Sequence, residues 1–146
     1  PLIITPHPGE LSRLLDASTR EIQRDRPGAA RKTALATGAI VVLKGAGTLV
    51  TDGRRLYANA TGNPGLASGG TGDVLTGLIA ALLAQRLDPF SAACLGVYLH
   101  GLAGDLAARR LGQWSLVAGD LLDEIPRAFL AHARGRRGRE RRSPQA

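Results

Sequence analysis

Residues 63–77, NPGLASGGTGDVLTG, join a glycine-rich loop to an apolar helical pattern, and Asp73 lies at the junction. Glycine permits a positive φ angle and lets a ligand approach the backbone closely. The first turn of a helix adds free N–H groups and the positive end of the helix dipole, and both attract phosphate. No lysine follows the glycines, so the stretch is not a Walker-type P-loop. The sequence therefore predicts an anion site with a carboxylate beside it.

The segments on both sides of this junction alternate between strand and helix patterns, which predicts an α/β fold. The predicted elements are strands or strand pairs at residues 2–4, 40–43 and 48–59, and helices at residues 10–15, 27–37, 71–85, 89–110 and 118–131. Asp52 and Gly53 mark the turn of a hairpin. The first two strands are apolar throughout and we expect both to be buried, so helices should cover both faces of the sheet.

Three polar segments that contain glycine fall where predicted elements meet. They are HPGE at residues 7–10, KGAGT at residues 44–48 and the glycine loop at residues 60–70. In α/β sheets, ligands bind outside the carboxyl ends of the strands. We therefore expect the three segments to form one site.

The candidate residues in these segments each have an ordinary structural interpretation as well. Asp73 either caps the start of a helix or accepts the proton of an attacking hydroxyl as a general base. Lys44 ends a buried strand, where it either contacts an anion or extends to solvent. His7 is either a site residue or an ordinary loop histidine. Glu10 either contacts substrate or only complements the helix dipole.

The remaining histidines and Asn59 lie outside the three segments. We expect His100 to be a hydrogen-bonded core residue and His132 to belong to the tail of the chain. Asn59 ends the hairpin, and it joins the site only if the fold brings it there. No pair of His or Cys residues has the spacing of metal ligands, so we expect no dedicated metal site.

The net charge of +7 is concentrated near the end of the sequence. Residues 134–142 contain six arginines and one glutamate, a charge of +5, which leaves +2 for the rest. We expect residues 132–146 to form a basic, disordered tail; contact with RNA or an acidic surface is the alternative. Nucleic acid is not the expected partner.

Two further features bear on the cellular compartment. Cys94 is the single cysteine, which favours a reducing, cytoplasmic environment. No signal peptide and no apolar run of membrane-spanning length is visible, so we expect no membrane partner.

The sequence resembles the ADP-dependent NAD(P)H-hydrate dehydratase family, of the ribokinase-like superfamily, across residues 2–129. The matching stretches are TPHPGELSRLL, VVLKGAGTLVTDG, NATGNPGLASGGTGDVLTGLIAALLAQ and LGVYLHGLAGDLAA. GGTGD alone indicates only the superfamily, whereas TPHPGE together with NPGLASGGTGDVL is much more specific to the dehydratases. The resemblance implies an α/β fold in the form of a ribokinase-like three-layer α/β/α sandwich.

The chemistry that this resemblance implies accounts for the carboxylate. The substrate would be a hydrated nicotinamide nucleotide, NAD(P)HX. ADP, or ATP in some members, would phosphorylate the ring hydroxyl, with Mg²⁺ as a companion of the phosphoryl transfer. Asp73 would be the catalytic base. The implied nucleotide-binding residues are Lys44, Gly45, Ala46, Gly47, Thr48, Asn63, Gly69, Gly70, Thr71 and Gly72. The implied substrate-binding residues are His7, Pro8, Gly9, Glu10 and Asp73.

Members of the family have a further long segment before TPHPGE. We therefore expect more chain before Pro1, with residues 1–131 forming the C-terminal part of a carbohydrate-kinase-like domain that lacks its N-terminal strands. Residues 132–146 would be the tail. Alone, the chain is expected to be poorly active and prone to associate, and we also expect a homo-oligomer. The alternatives are a vitamin-precursor kinase of the same superfamily and an inactive nucleotide-binding fragment with a basic binding tail.

Overall fold

The computed structural model describes residues 1–140 of the chain, with the side chains of residues 1–135. The strands are β1 (Ile3–Ile4), β2 (Ile40–Leu43), β3 (Leu49–Thr51) and β4 (Leu56–Ala58). The helices are α1 (Pro8–Leu15), α2 (Thr19–Arg24), α3 (Arg26–Thr37), α4 (Thr71–Ala84), α5 (Pro89–Leu111) and α6 (Ala118–Glu140), with a 3₁₀ turn at Pro64–Ala67. The predicted α/β order is confirmed, and β2 has its predicted bounds.

Local side-chain bonds explain why the first helices begin where they do. The His7 ring accepts the Glu10 N–H while the Glu10 carboxylate accepts the His7 N–H, which makes a capping box for α1. Ser18 and Glu21 form the same arrangement at the start of α2, a helix that was not among the sequence-based predictions. Gly38 ends α3 in the left-handed region, with φ of 67°, as the sequence predicts.

The four strands form one sheet in the order β1-β2-β3-β4. β1 is parallel to β2, with Ile3 opposite Ile40, and β2, β3 and β4 are antiparallel neighbours. Because β1 and β2 are parallel, their carboxyl ends lie at the same edge of the sheet. The segments that follow them, HPGE and KGAGT, therefore lie side by side, and the Lys44 N–H donates to the Pro6 carbonyl oxygen.

Helices cover both faces of the sheet, as predicted. On one face, Val41 and Leu43 pack against α1, α2 and α3. On the other face, Val42 and Val50 pack against α4 and α5, and α6 packs on the α4–α5 pair. The three-layer α/β/α arrangement is thus confirmed. The expectation that β1 is buried was wrong: both its residues are half-buried, because β1 is the edge strand of the sheet that the structure describes.

α5 is long and apolar enough to span a membrane by length and composition, contrary to the expectation that no such run exists. Its packing is that of a core helix. It contacts α4, α6, β2 and β3, and 56% of its most apolar window is buried within the fold. The apolar character of α5 is therefore explained by its central position.

α6 extends beyond its predicted end. It runs to Glu140 and so includes residues 132–140, where the sequence predicts a disordered tail. The physical reason is that arginine and alanine are good helix formers, and a helix that packing has already nucleated propagates easily. His132 lies in this helix, and its ring contacts Tyr98 edge-on with centroids 5.4 Å apart. The rest of the predicted tail, residues 141–146, lies outside the described residues.

Candidate active site

A cavity of about 1030 Å³ opens at the carboxyl ends of β1 and β2, and all three predicted segments reach it. The predicted site residues that line it are His7, Pro8, Lys44, Gly45, Ala46, Gly47, Thr48, Asn63, Gly69, Gly70, Thr71, Gly72 and Asp73. Gly9 and Glu10 are not brought into this lining. Gly9 faces the His7 ring, and the Glu10 carboxylate lies beside Lys44. Position alone does not test a role, so the assigned roles stay predictions.

The first turn of α4 is the part of the cavity wall best suited to an anion. Gly70 precedes it with φ of 85°, a left-handed conformation that glycine adopts without strain. The Thr71 hydroxyl donates to the carbonyl oxygens of Leu66 and Ser68, at 2.8 and 2.9 Å. Within the described residues, no side chain caps this turn. The Asp73 and Val74 N–H groups donate to the Gly70 carbonyl oxygen, so the Thr71 and Gly72 N–H groups and the positive end of the helix dipole are available to a ligand.

His100 holds this turn in place from α5. Its Nε2 atom lies 2.8 Å from the Thr71 carbonyl oxygen, and the side chain is buried. Burial lowers the pKa of His100, and the contact with Thr71 opposes this effect only in part. The ring is therefore neutral near neutral pH and donates its Nε2–H to the carbonyl. The expectation of a hydrogen-bonded core histidine is confirmed, and the ring also lines the cavity.

Lys44 and Asp73 bring opposite charges to the same turn. The Lys44 Nζ atom lies 3.6 Å from Glu10 Oε2, and it is 3.2 Å from the position that a Cβ on Gly72 would take. The ammonium group therefore adds to the positive potential at the start of α4. Asp73 is exposed on this turn and lines the cavity. A phosphate bound here would meet amide and ammonium donors, with a carboxylate base beside it.

The KGAGT turn is shaped by two glycines and by an arginine outside it. Gly45 and Gly47 have φ angles of 136° and 63°, which favour glycine. Arg26, at the start of α3, donates to three carbonyl oxygens in and just before this turn. Arg26 is absent from the sequence-based predictions. The sequence does contain one indication of its role: Arg26 is a positive charge at the N-terminus of α3, where it opposes the helix dipole and so needs other partners.

Asp105 of α5 holds the start of the glycine loop. Its Oδ2 atom accepts the Gly62 N–H at 2.9 Å, and its Oδ1 atom accepts from Asn63 Nδ2 at 3.0 Å. The Asn63 Oδ1 atom in turn accepts the Gly65 N–H at 3.0 Å. Asp105 is also absent from the sequence-based predictions. A single carboxylate inside the apolar run LHGLAGDLAA is the signal for it, because such a group needs partners when it is buried.

Asn59 is brought to the site by the fold. The side chain is buried and lines the cavity. Its Nδ2 atom donates to the Thr61 carbonyl oxygen at 2.9 Å, and its Oδ1 atom accepts from the Tyr57 hydroxyl at 3.1 Å. These bonds tie the end of β4 to the glycine loop.

The connection between α5 and α6 packs against the same loop. A Cβ on Gly65 would lie 2.8 Å from the Gln113 carbonyl oxygen, so the two backbones are in close contact. Trp114 follows Gln113 directly, and its side chain is fully exposed.

The HPGE segment is held mainly by bonds within itself. The Glu10 Oε2 atom accepts the His7 N–H at 2.6 Å, and the Lys44 ammonium group lies 3.6 Å from the same oxygen. The bond from the His7 backbone, and to a smaller extent the Lys44 ammonium, lower the pKa of Glu10. Both side chains of the capping box are exposed.

The donor set bears on the implied metal ion. The described residues contain no group of three or more His, Cys, Asp or Glu side chains placed to hold one. In phosphoryl transfer, Mg²⁺ is bound largely by substrate phosphates and water. Among the described lining residues, the backbone amides and the Lys44 ammonium would contact phosphate oxygens, and the Asp73 carboxylate would contact a Mg²⁺ ion carried by a nucleotide.

A sheet between two helical layers, with a glycine loop leading into α4 at its carboxyl edge, defines the ribokinase-like class. The crystal structure of a ribokinase-like superfamily protein from Enterococcus faecalis matches with a TM-score of 0.71 and 30% identity, over 87% of this chain and 43% of that one. The family model for NAD(P)H-hydrate dehydratase matches residues 1–127. The chain therefore belongs to the NAD(P)H-hydrate dehydratase family.

Two further matches lie within this family. The chain is 55% identical over 128 residues to the bifunctional NAD(P)H-hydrate repair enzyme of Moorella thermoacetica. This match covers 86% of this chain and 24% of the relative. The crystal structure of an ADP/ATP-dependent NAD(P)H-hydrate dehydratase from Bacillus subtilis, co-crystallised with ATP and Mg²⁺, matches with a TM-score of 0.86 and 38% identity. That match covers 90% of this chain and 48% of the other. The chain thus spans about a quarter of the first protein and about half of the second.

Proposed function

We propose that this chain forms the nucleotide-binding part of an enzyme that converts NAD(P)HX back to NAD(P)H with ADP as phosphoryl donor. One arrangement carries the proposal: the Asp73 carboxylate, the uncapped first turn of α4 and the Lys44 ammonium line one cavity. Membership of the family supports the substrate. The adenine nucleotide is supported by the name of the Bacillus subtilis enzyme.

Phosphorylation of the ring hydroxyl makes the dehydration chemically accessible. Asp73 accepts the hydroxyl proton while the oxygen attacks the terminal phosphorus of ADP, and the phosphorus–oxygen bond to AMP breaks. The lone pair of the ring nitrogen then expels phosphate, which leaves far more readily than hydroxide. Loss of a proton from the adjacent ring carbon restores the double bond. The products are NAD(P)H, AMP and phosphate.

Each of the other segments that line the cavity has its own role in this proposal. The amides from Gly69 to Gly72 stabilise the negative charge that develops on the transferred phosphoryl group. Lys44 and the KGAGT turn contact the nucleotide. His7 and the rest of HPGE face the hydrated nicotinamide. When bound with the nucleotide, Mg²⁺ supplies further stabilisation of phosphate charge.

The finer assignments belong to the same proposal. ATP as an alternative donor is supported by the ATP and Mg²⁺ of the Bacillus subtilis crystals. A cytoplasmic location is supported by the single cysteine, Cys94, because the sequence shows no disulfide framework of the kind common in oxidising compartments. A homo-oligomer is supported by apolar side chains exposed on α6, among them Leu122 and Leu130.

The test is the Asp73→Asn variant of the natural protein that carries this sequence. We expect dehydration to fall by about 10²- to 10⁴-fold, because a positioned general base contributes that much. Calorimetric binding of ADP is expected to stay close to that of the unmodified protein. The readout is ADP-dependent recovery of the dihydronicotinamide absorbance from hydrated NADPH.

Asp123→Asn is the matched control, because Asp123 is an exposed carboxylate on α6, remote in sequence from the glycine loop. Near-normal turnover by Asp73→Asn would rule out Asp73 as the base. Accumulation of a stable phosphorylated product by the unmodified protein would instead indicate a small-molecule kinase.

A further inference from the structure

Arg26 begins α3 and reaches across to the KGAGT turn. Its guanidinium donates to the carbonyl oxygens of Leu43 at 3.2 Å, of Lys44 at 3.3 Å and of Ala46. These acceptors follow β2, at the point where the chain leaves the sheet and enters the cavity wall. One side chain thus fixes the direction of three peptide units.

The position of Arg26 is electrostatically unfavourable in itself. A cation at the N-terminus of a helix opposes the helix dipole. Among the described atoms, the Arg26 Nε is also buried without a hydrogen-bond partner, and an unpaired buried donor is destabilising. The three hydrogen bonds to carbonyl oxygens offset these unfavourable terms. The contribution of Arg26 to the fold therefore lies in its bonds to the KGAGT turn.

The geometry of the peptide unit shows what that effect is. In a trans peptide the C=O and the following N–H point in opposite directions. Because the Lys44 and Ala46 carbonyls point toward Arg26, the N–H groups of Gly45 and Gly47 point away from it. The described residues that line the cavity include both glycines but not Arg26. The two N–H groups are therefore directed to the cavity side of the turn.

We propose that Arg26 is a positioning residue for nucleotide binding, which holds the KGAGT turn so that the Gly45 and Gly47 N–H groups meet oxygens of an adenine nucleotide. The inference rests on the proposed function, which supplies the ligand. Gly45 is part of the same arrangement. A Cβ at Gly45 would lie 3.1 Å from an Arg26 terminal nitrogen, so a larger residue would displace the guanidinium.

The experiment titrates ADP calorimetrically into the natural protein and into Arg26→Ala, Arg26→Lys and Arg31→Ala. Arg31 is the matched control, because it is an exposed arginine on the same helix. We expect the Kd for ADP to rise about 10- to 100-fold in both Arg26 variants, since bonds from a charged group are lost. Lysine keeps the charge but lacks the planar fork that bonds several carbonyls at once.

Two readouts separate positioning from a general loss of structure. The Kd for hydrated NADPH is expected to stay unchanged, because the HPGE segment does not contact Arg26. Guanidinium chloride at low millimolar concentration is expected to restore ADP affinity to Arg26→Ala by refilling the site, with no effect on Arg31→Ala. Arg26→Lys keeps the test usable if the alanine variant does not fold.

The outcomes are distinct. An unchanged Kd for ADP in both Arg26 variants overturns the positioning role and leaves the proposed function standing. Equal weakening of both ligands, with a lower Tm and no guanidinium rescue, identifies a purely structural residue and also overturns it. Absence of ADP binding in the unmodified protein overturns the proposed function, and this inference with it.

Discussion

The two walls of the cavity are held in place by different kinds of interaction. The KGAGT turn and the glycine loop, which we call the nucleotide wall after their proposed role, are bonded by side chains from distant helices, chiefly Arg26 and Asp105. The HPGE segment at residues 7–10, which we call the substrate wall after its proposed role, is held by its own capping box and by an ion pair between the exposed Glu10 and the half-buried Lys44. Exposed ion pairs contribute little to stability, about 0–1 kcal/mol. The nucleotide wall therefore depends on contacts between distant elements, whereas the substrate wall is held mainly by bonds within its own segment.

The largest effect is expected where α5 packs directly on the nucleotide wall. A Cβ at Gly101 would lie 2.3 Å from Thr61 Oγ1 and 2.7 Å from the Thr61 backbone carbon, so Gly101→Ala must push the loop away. Such overpacking costs about 1–3 kcal/mol, and we expect the Tm to fall by several degrees and ADP binding to weaken. Thermal unfolding and calorimetry measure both effects.

Gly77→Ala on α4 is the matched control, because nothing lies within 4 Å of its Cβ position. A Gly101→Ala variant as stable as the control would contradict the tight packing of this wall.

A smaller effect is expected from Asp105→Asn, which keeps the size of the side chain and removes one acceptor. Asp105 accepts from both Gly62 and Asn63, and an asparagine can satisfy only one of them. We expect a loss of about 0.5–1.5 kcal/mol, the net contribution of one hydrogen bond, with ADP binding weakened about tenfold. Chemical denaturation and ADP titration provide the measurements, with Asp123→Asn as the control. If ADP affinity did not change, the glycine loop would not need its anchor on α5.

The smallest effect is expected on the substrate wall. Glu10→Gln removes the ion pair with Lys44 but keeps an oxygen that accepts the His7 N–H. We expect the free energy of unfolding near neutral pH to change by less than about 1 kcal/mol, measured by denaturation at several salt concentrations. Glu21→Gln is the matched control, because Glu21 forms the same capping box with Ser18. If Glu10→Gln lowered the free energy of unfolding as much as Gly101→Ala does, the proposed difference between the two walls would be wrong.

The same variant has a defined pH dependence. The folded state lowers the pKa of Glu10 below its ordinary value of 4.5. A carboxylate with a depressed folded pKa stabilises the fold above its unfolded pKa, and that contribution disappears as the pH falls through the folded pKa. The stability difference between the unmodified protein and Glu10→Gln should therefore be constant near neutral pH and shrink below about pH 4.

Much of the fold follows from local patterns. β2 was predicted with its observed bounds because IVVL is a continuous apolar run, and the start of α4 follows from the glycines before it. The end of α6 was not predicted, since its last residues carry charge without apolar periodicity. α2 was overlooked because it is short, although Ser18 and Glu21 have the spacing of a capping box.

The three segments that form the site were predictable from the sequence, but the residues of other helices that hold them in place were not. HPGE, KGAGT and the glycine loop are local patterns, and the parallel strands bring their positions together. Arg26 contacts a residue 20 positions away, and Asp105 contacts one 42 positions away. Such contacts depend on how the elements pack, which composition and periodicity do not reveal. The division of residues 1–131 and 132–146 into domain and tail stays a prediction.

The close contact between Gln113 and Gly65 also gives the molecule a natural optical probe. Trp114 is the single tryptophan of the sequence, it adjoins Gln113, and its indole ring is fully exposed. Excitation of this ring isolates light emitted from one known point beside the glycine loop. Contact of the loop or of a bound purine with the indole would lower the polarity around the ring and so change the wavelength and intensity of its fluorescence. The unlabelled protein thus carries one indole, next to the residue that touches the glycine loop, that would report such a contact.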